Sequence, residues 1–228
     1  MKTLISLFAL FLSLSLTAQT NTATWYRNDT SGSGIQSYQH NIASGAYSIS
    51  IGNNTEASGY ASTAMGYYTT ASGQSSTAMG DNTVASGGAS TSMGMGTTAS
   101  GDFSTAKGDY TTASGYASTT TGELTTASGG WSTAFGLGSL ASGNTATAFG
   151  SATASGDLST AMGSSFASGD GSTAMGSSFA SGGISTAMGS STASGLYSTA
   201  MGYETEADGF NTTAIGSLNT VDENSTPN

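Results

Sequence analysis

Few residues in this chain have the type and spacing for chemistry. His40 is the one histidine and there is no cysteine, so a catalytic triad or a zinc site has almost nothing to be built from. Serines are abundant, but a nucleophilic serine needs a positioned base. The carboxylates are better placed. Asp157 and Asp170 lie thirteen positions apart, and Asp109 and Glu123 fourteen. Brought together in a stack, such pairs could hold Ca²⁺ or act as acid and base. The plainer expectation is acids exposed on turns that keep a rod soluble. A calcium-binding nonapeptide repeat would carry Gly-Gly and Asp in every unit, and these units do not. The chain is therefore expected to catalyse no reaction and to carry no metal or other cofactor.

Composition narrows the partners. Three Lys or Arg stand against thirteen Asp or Glu, a formal charge of −10, which excludes the phosphate neutralisation that nucleic-acid binding needs. Charged residues are 7% of the chain, against about 25% in an ordinary domain. Abundant Gly and Ser suit a flexible linker, but a linker needs no register, and this chain keeps one. At the N-terminus Lys2, the apolar run from Leu4 to Leu16 and "LTAQ" read as a secretory signal over residues 1–18, cut after Ala18. That run is too short to span a bilayer comfortably, and no later segment is apolar enough. The expectation is a secreted or cell-surface protein with no direct membrane span.

The elements that position these residues are written as a repeat. The Ala of "ASG" recurs at Ala43, Ala57, Ala71, Ala85, Ala99, Ala113, Ala127 and Ala141, fourteen apart. Ala154, Ala167, Ala180 and Ala193 follow at thirteen, and Ala207 at fourteen. A second motif, "STAMG", keeps step two residues behind. The lost residue comes from the other turn, "YYTT" against "SSF", which marks the loose corner. "STAMG" has the length of a short strand, so Thr63 and Met65 share one face and Ser62 and Ala64 the other. Gly at the end of the motif allows a tight corner. One unit is thus two short strands and two turns, a single coil of an all-β parallel solenoid. The stacked coils make a rod roughly 60 Å long at the strand spacing of a sheet. The expected organisation is a polar lead-in over 19–40, with Trp25 and Tyr26 capping the first coil, the roll over 41–216, and a polar tail over 217–228.

A coil this small encloses little more than Ala, Ser, Gly and Thr, so repetition turns each position into a column. The Thr column runs unbroken from Thr63 to Thr213. Two places on lies an oily column: Met65, Met79, Met93, Phe135, Phe149, Met162, Met175, Met188, Met201 and Ile215. Seven of the nine methionines sit there. Exposed over that length, it would be a sticky patch, which predicts burial between sister chains; the alternative is that it fills the roll's own core. Lys107 and Thr121 interrupt the stripe, either as an ion- or water-binding site with Asp109 and Glu123 or as a locally hydrated seam. The two residues after each "ASG" vary most and include Tyr60, Phe103, Tyr116, Trp131, Leu158, Ile184, Tyr197 and Phe210. Turn-borne aromatics on a rigid rod suit ligand contact, and packing against a neighbouring chain equally. Glu56, Glu204, Glu206, Asp208, Asp222 and Glu223 gather towards the ends, where charge discourages end-to-end stacking.

In these residues the chain resembles the YadA-like heads of trimeric autotransporter adhesins, whose pattern is a "SVAIG"-type strand, a short variable turn and an "A-x-G" corner. "SISIG" at Ser48–Gly52 and "TTAIG" at Thr212–Gly216 come closest; the other units put Thr for Val and Met or Phe for Ile. The resemblance runs from near Asn41 to Gly216 and implies a left-handed parallel β-roll, a homotrimer, and attachment to extracellular matrix or a cell-surface ligand. No heptad stalk and no membrane-barrel strands are seen, so the anchoring route is open. Phage fibres and other large secreted proteins use similar rolls.

Three readings of function follow. The first is a non-enzymatic, adhesin-type trimeric head. The second is an ice-binding solenoid that uses the Thr ladder, against which stands the sharing of that face with Met and Phe. The third is a passive spacer in a surface or phage fibre. A polysaccharide-cleaving enzyme is more distant, because no acid/base cluster recurs.

Overall fold

The computed structural model describes residues 26–28, 34–36 and 40–221, with side chains placed over 40–221. The signal segment, Trp25, Asp222 and Glu223 lie outside the described residues. The fold is a parallel β-solenoid of about 13 coils, with no helix among the described residues.

Most coils pair a strand of four or five residues with a two-residue strand, as in Thr63–Tyr67 and Thr70–Ala71, and in Thr186–Ala193 and Thr199–Ala207 the two run together. Both stack in parallel on the next coil without slippage: Thr63 on Thr77, Ala64 on Ala78, Met65 on Met79, and Thr70 on Val84. This ladder runs past the 41–216 span set by the motifs. Ile35 pairs with Ile49 at the start, and Val221 with Ala207 at the finish. Tyr26–Asn28 adds an antiparallel strand on Gly34–Gln36, so the long-strand side of the first edge is covered.

The interior follows from side-chain size. Ala57, Ala64 and Ala71 are fully buried, and so are their counterparts along the rod. Burying one such methyl contributes under about 1 kcal/mol, so the roll depends on many identical small gains added along a line. Two hydroxyl columns, Ser62 and Thr69 with their equivalents, complete the interior at 2% exposure or less. Most of these hydroxyls bond to nothing in the chain. Ser132 Oγ shows what they can reach, donating to the Gly129 carbonyl of its own turn at 2.7 Å. Where Ser92 replaces the usual Ala, it bonds the Thr97 hydroxyl at 2.7 Å across the interior.

Glycine is obligatory in two columns for different reasons. At Gly73 a Cβ would overlap the backbone carbonyl of Gly87 one coil on. At Gly66 the same overlap is joined by φ +129°, a conformation that side chains rarely adopt. The loose corner read from the repeat lies just after this second glycine. Fourteen-residue coils place a left-handed residue there, such as Tyr68 at φ 50°. The thirteen-residue coils omit it, and the glycine relaxes, to φ 90° at Gly163. In those coils Ala152 or a Ser replaces the buried Thr, and Ser165 Oγ donates to the Ala174 carbonyl of the following coil at 2.8 Å.

Candidate binding edge

The varied pair after each "ASG" forms the corner residues of a β-turn. In one coil the Ser62 N–H donates to the Gly59 carbonyl at 3.2 Å. Tyr60 takes the first corner position and Ala61, at φ 52°, the second. The second position is left-handed in every coil, even where it carries Phe103, Trp131 or Ile184. Left-handed backbone costs such residues about 1–2 kcal/mol. The ladder holds them there: the Trp131 N–H donates to Tyr116 O at 2.7 Å, one coil back.

Both corner side chains project outward. Tyr60, Phe103, Tyr116, Trp131, Tyr197 and Phe210 are all exposed. They are not isolated. Phe103 meets Tyr116 edge-on at 5.5 Å, and Tyr116 meets Trp131 at 5.2 Å. Tyr47 meets Tyr60 at 5.5 Å, and Tyr197 meets Phe210 at 5.8 Å. Rings shift between first and second corner positions from coil to coil, and the diagonal offset produces the edge-to-face contacts. Three ring clusters thus line one edge of the rod.

Between the first two clusters the rings stop. Gln74, Ser75, Gly88 and Ala89 fill the corners of two coils, and with Asp102 and Phe103 they line a hollow of about 340 Å³. No feature of the motif list singles out this place; the signal that finds it is the break in the aromatic column at two successive units.

Between the second and third clusters the first corner position carries Asn144, Asp157 and Asp170. The two acids form a ladder to the backbone. Asp157 Oδ1 accepts from Asn144 N at 2.8 Å, and Asp170 Oδ1 accepts from Asp157 N at 3.0 Å. Asn144 Oδ1 accepts from Gly130 N at 3.2 Å, and Asp102 Oδ1 from Gly88 N at 2.7 Å. Each side chain caps the corner N–H of the preceding coil. Among the described residues no three His, Asp or Glu converge as a metal site would require. Asp109 and Glu123 do stack in register, as do Lys107 and Thr121. Tyr203 is raised above its ordinary pKa by a hydrogen bond to Glu204 and then by that carboxylate's charge.

On the long strand, the oily column points away from the interior. Met65, Phe135, Phe149, Met162 and Ile215 are exposed, and Met79, Met93, Met175, Met188 and Met201 are half-buried against their neighbours. Phe135 and Phe149 stack at 4.7 Å. The Ala, Ser and Thr columns already fill the roll, so the stripe cannot turn inward. The adjoining Thr column is mostly half-buried. On the short strand a second Thr column is broken by Val84, Leu140, Phe166 and Phe179.

A one-chain β-roll of small-residue coils, with its large side chains all on the outside, is a scaffold built for contact along its length. The YadA head domain repeat (two copies per match) covers residues 43–69, 71–97, 106–130, 127–153, 154–178, 180–205 and 193–219. The chain belongs to the YadA head family. No curated protein matches the chain.

Proposed function

We propose that this protein is an exported, non-enzymatic adhesin-type head. It assembles as a homotrimer through the Met/Phe stripe and attaches to host matrix, cells or surfaces through its corner side chains. One observation carries the reading: an interior closed by alanine and hydroxyl columns leaves an apolar column outside, interrupted at Lys107 and Thr121 alone. Partnering that column with sister copies removes it from water, and three rods side by side multiply weak contacts. Family membership supports the same reading, since YadA heads are adhesin-type and trimeric.

Light scattering on the mature chain tests it. The expected mass is that of three chains. Met188→Asp is expected to give single chains that keep the β-sheet circular dichroism, because Met188 is only half-buried within one chain. A monomeric wild type would overturn the trimeric head. Retention of the purified protein on matrix-coated or cell-coated wells is the accompanying assay; a passive spacer would be washed away. Ice binding is supported less, since the longer Thr column shares its face with Met and Phe and the shorter one is interrupted. A thermal-hysteresis measurement is expected to show no effect.

A further inference from the structure

We infer that the hollow between Gln74 and Phe103, with the rings beside it, is a binding site for a neutral polysaccharide chain. The inference rests on the adhesin-type reading and names the chemistry of its ligand.

The first observation is a missing cap. The first-corner N–H is covered in four coils by an Asp or Asn oxygen from the next coil. Above Gln74 the next coil carries Gly88 instead, as Gly130 stands above Tyr116 and Gly183 above Asp170; what sets Gln74 apart is that its bare corner lines the hollow. No side chain exists there to accept from Gln74 N–H, and the space it would fill is the hollow. A backbone donor that no side chain caps, in a residue that lines a hollow, can take an oxygen from outside the chain. Asp102 adds an acceptor: one of its oxygens takes Gly88 N–H, which leaves the other for a ligand. Gln74 and Ser75 supply a further amide and hydroxyl at the same wall.

The second observation is the rings. Phe103 forms one wall of the hollow, and Tyr116 and Trp131 continue from it in consecutive coils. Tyr60 stands on the other side, three coils from Phe103, about 14 Å at the strand spacing. Polar groups at Gln74, Ser75 and Asp102 are therefore flanked by rings on both sides along a straight edge that steps about 4.8 Å per coil, close to the length of one pyranose. Sugar rings present hydroxyl edges to such polar groups and C–H faces to such aromatics. Charge selects among glycans: at −10 with three basic residues in the whole chain, sulfated or sialylated chains are repelled and neutral ones are not.

The test uses cellohexaose, chitohexaose and laminarihexaose, titrated calorimetrically into the full chain. Binding of at least one is expected at micromolar to millimolar affinity. Gly88→Asn installs the missing cap and fills the hollow. Asn144 followed by Asp157 already shows that an Asn in this position, with Asp in the next coil, fits the stack. This variant is expected to keep the wild-type melting temperature and to weaken binding at least about tenfold. Phe103→Gly, which also relieves a left-handed residue, is expected to weaken binding similarly, and Leu124→Ala, exposed at the loose corner away from this edge, to leave it unchanged. If none of the three hexasaccharides binds, or if Gly88→Asn binds as wild type does, the site is refuted. Retention on protein-coated wells alongside that result would refute the glycan site and leave the adhesin reading standing. Hexasaccharide binding by a protein that no surface retains would do the reverse.

Discussion

Replacing Gly101 by Ala gives the sharpest test of how this rod is held together. A Cβ on Gly101 would overlap the carbonyl of Gly115 in the next coil, and backbone cannot swing aside as a side chain does. The two coils must part at that corner. Three hydrogen bonds join them there: Ser100 N to Ala113 O at 2.9 Å, Gly101 N to Ala113 O at 3.3 Å, and Ala117 N to Asp102 O at 2.8 Å. At about 1 kcal/mol net for each, the loss is about 3 kcal/mol. For a chain of this size that lowers the melting temperature by about 6–12 °C. Two neighbours serve as controls. A Cβ on Gly88 meets only the flexible Asp102 side chain, with Oδ1 at 3.3 Å, so Gly88→Ala should cost under about 0.5 kcal/mol. Gly138 has φ +65° and nothing within 4 Å of a Cβ, so Gly138→Ala should cost about 1 kcal/mol from backbone strain alone. Circular dichroism melts should place Gly88→Ala highest, Gly138→Ala next and Gly101→Ala lowest. If Gly101→Ala melted within a degree or two of Gly88→Ala, close backbone stacking would not be what demands this glycine column.

Two further outcomes follow from the corners. Ile184→Gly removes a β-branched side chain from φ 52° and is expected to raise stability by about 0.5–1 kcal/mol, read as a higher melting temperature. Asp157→Ala loses the acceptor for Asn144 N and should cost about 1 kcal/mol. Asp157→Asn keeps an acceptor and should be near neutral. Added calcium should leave the melt of the wild type unchanged, and a calcium-dependent rise would restore the ion-binding reading of the acid pair.

Much of the architecture is legible because a solenoid converts spacing in sequence directly into adjacency in space. Thirteen- and fourteen-residue intervals fix which residues stack, and alternation across "STAMG" fixes that Ala64 goes in and Met65 out. The corner that sheds a residue is visible as the one place where unit length varies. What spacing does not carry is the direction of backbone donors. Asp157 and Asp170 stand in one column as the intervals require, yet their partners are N–H groups of the preceding coil, a relation that no residue pattern announces. For the same reason the hollow at Gln74 is only half legible: the break in the aromatic column shows in the sequence, but the bare backbone donor does not. It arises because Gly88 lacks an oxygen where other units have one, and a lone Gly in a varied turn reads as ordinary. The resemblance to YadA heads, read from the strand and corner motifs, carries through to the family match.

The forgiving corner has a consequence for how such a molecule changes size. Because a unit can drop the left-handed residue after Gly150, Gly163 or Gly176 while its strands stay in step, the column order on every other side survives the deletion. Whole units can likewise be duplicated or removed with each new layer meeting the same surface that the old one met. Reach thus becomes adjustable by simple copying of a short stretch of gene, and a decorated corner can be moved up or down the shaft without redesigning anything beneath it.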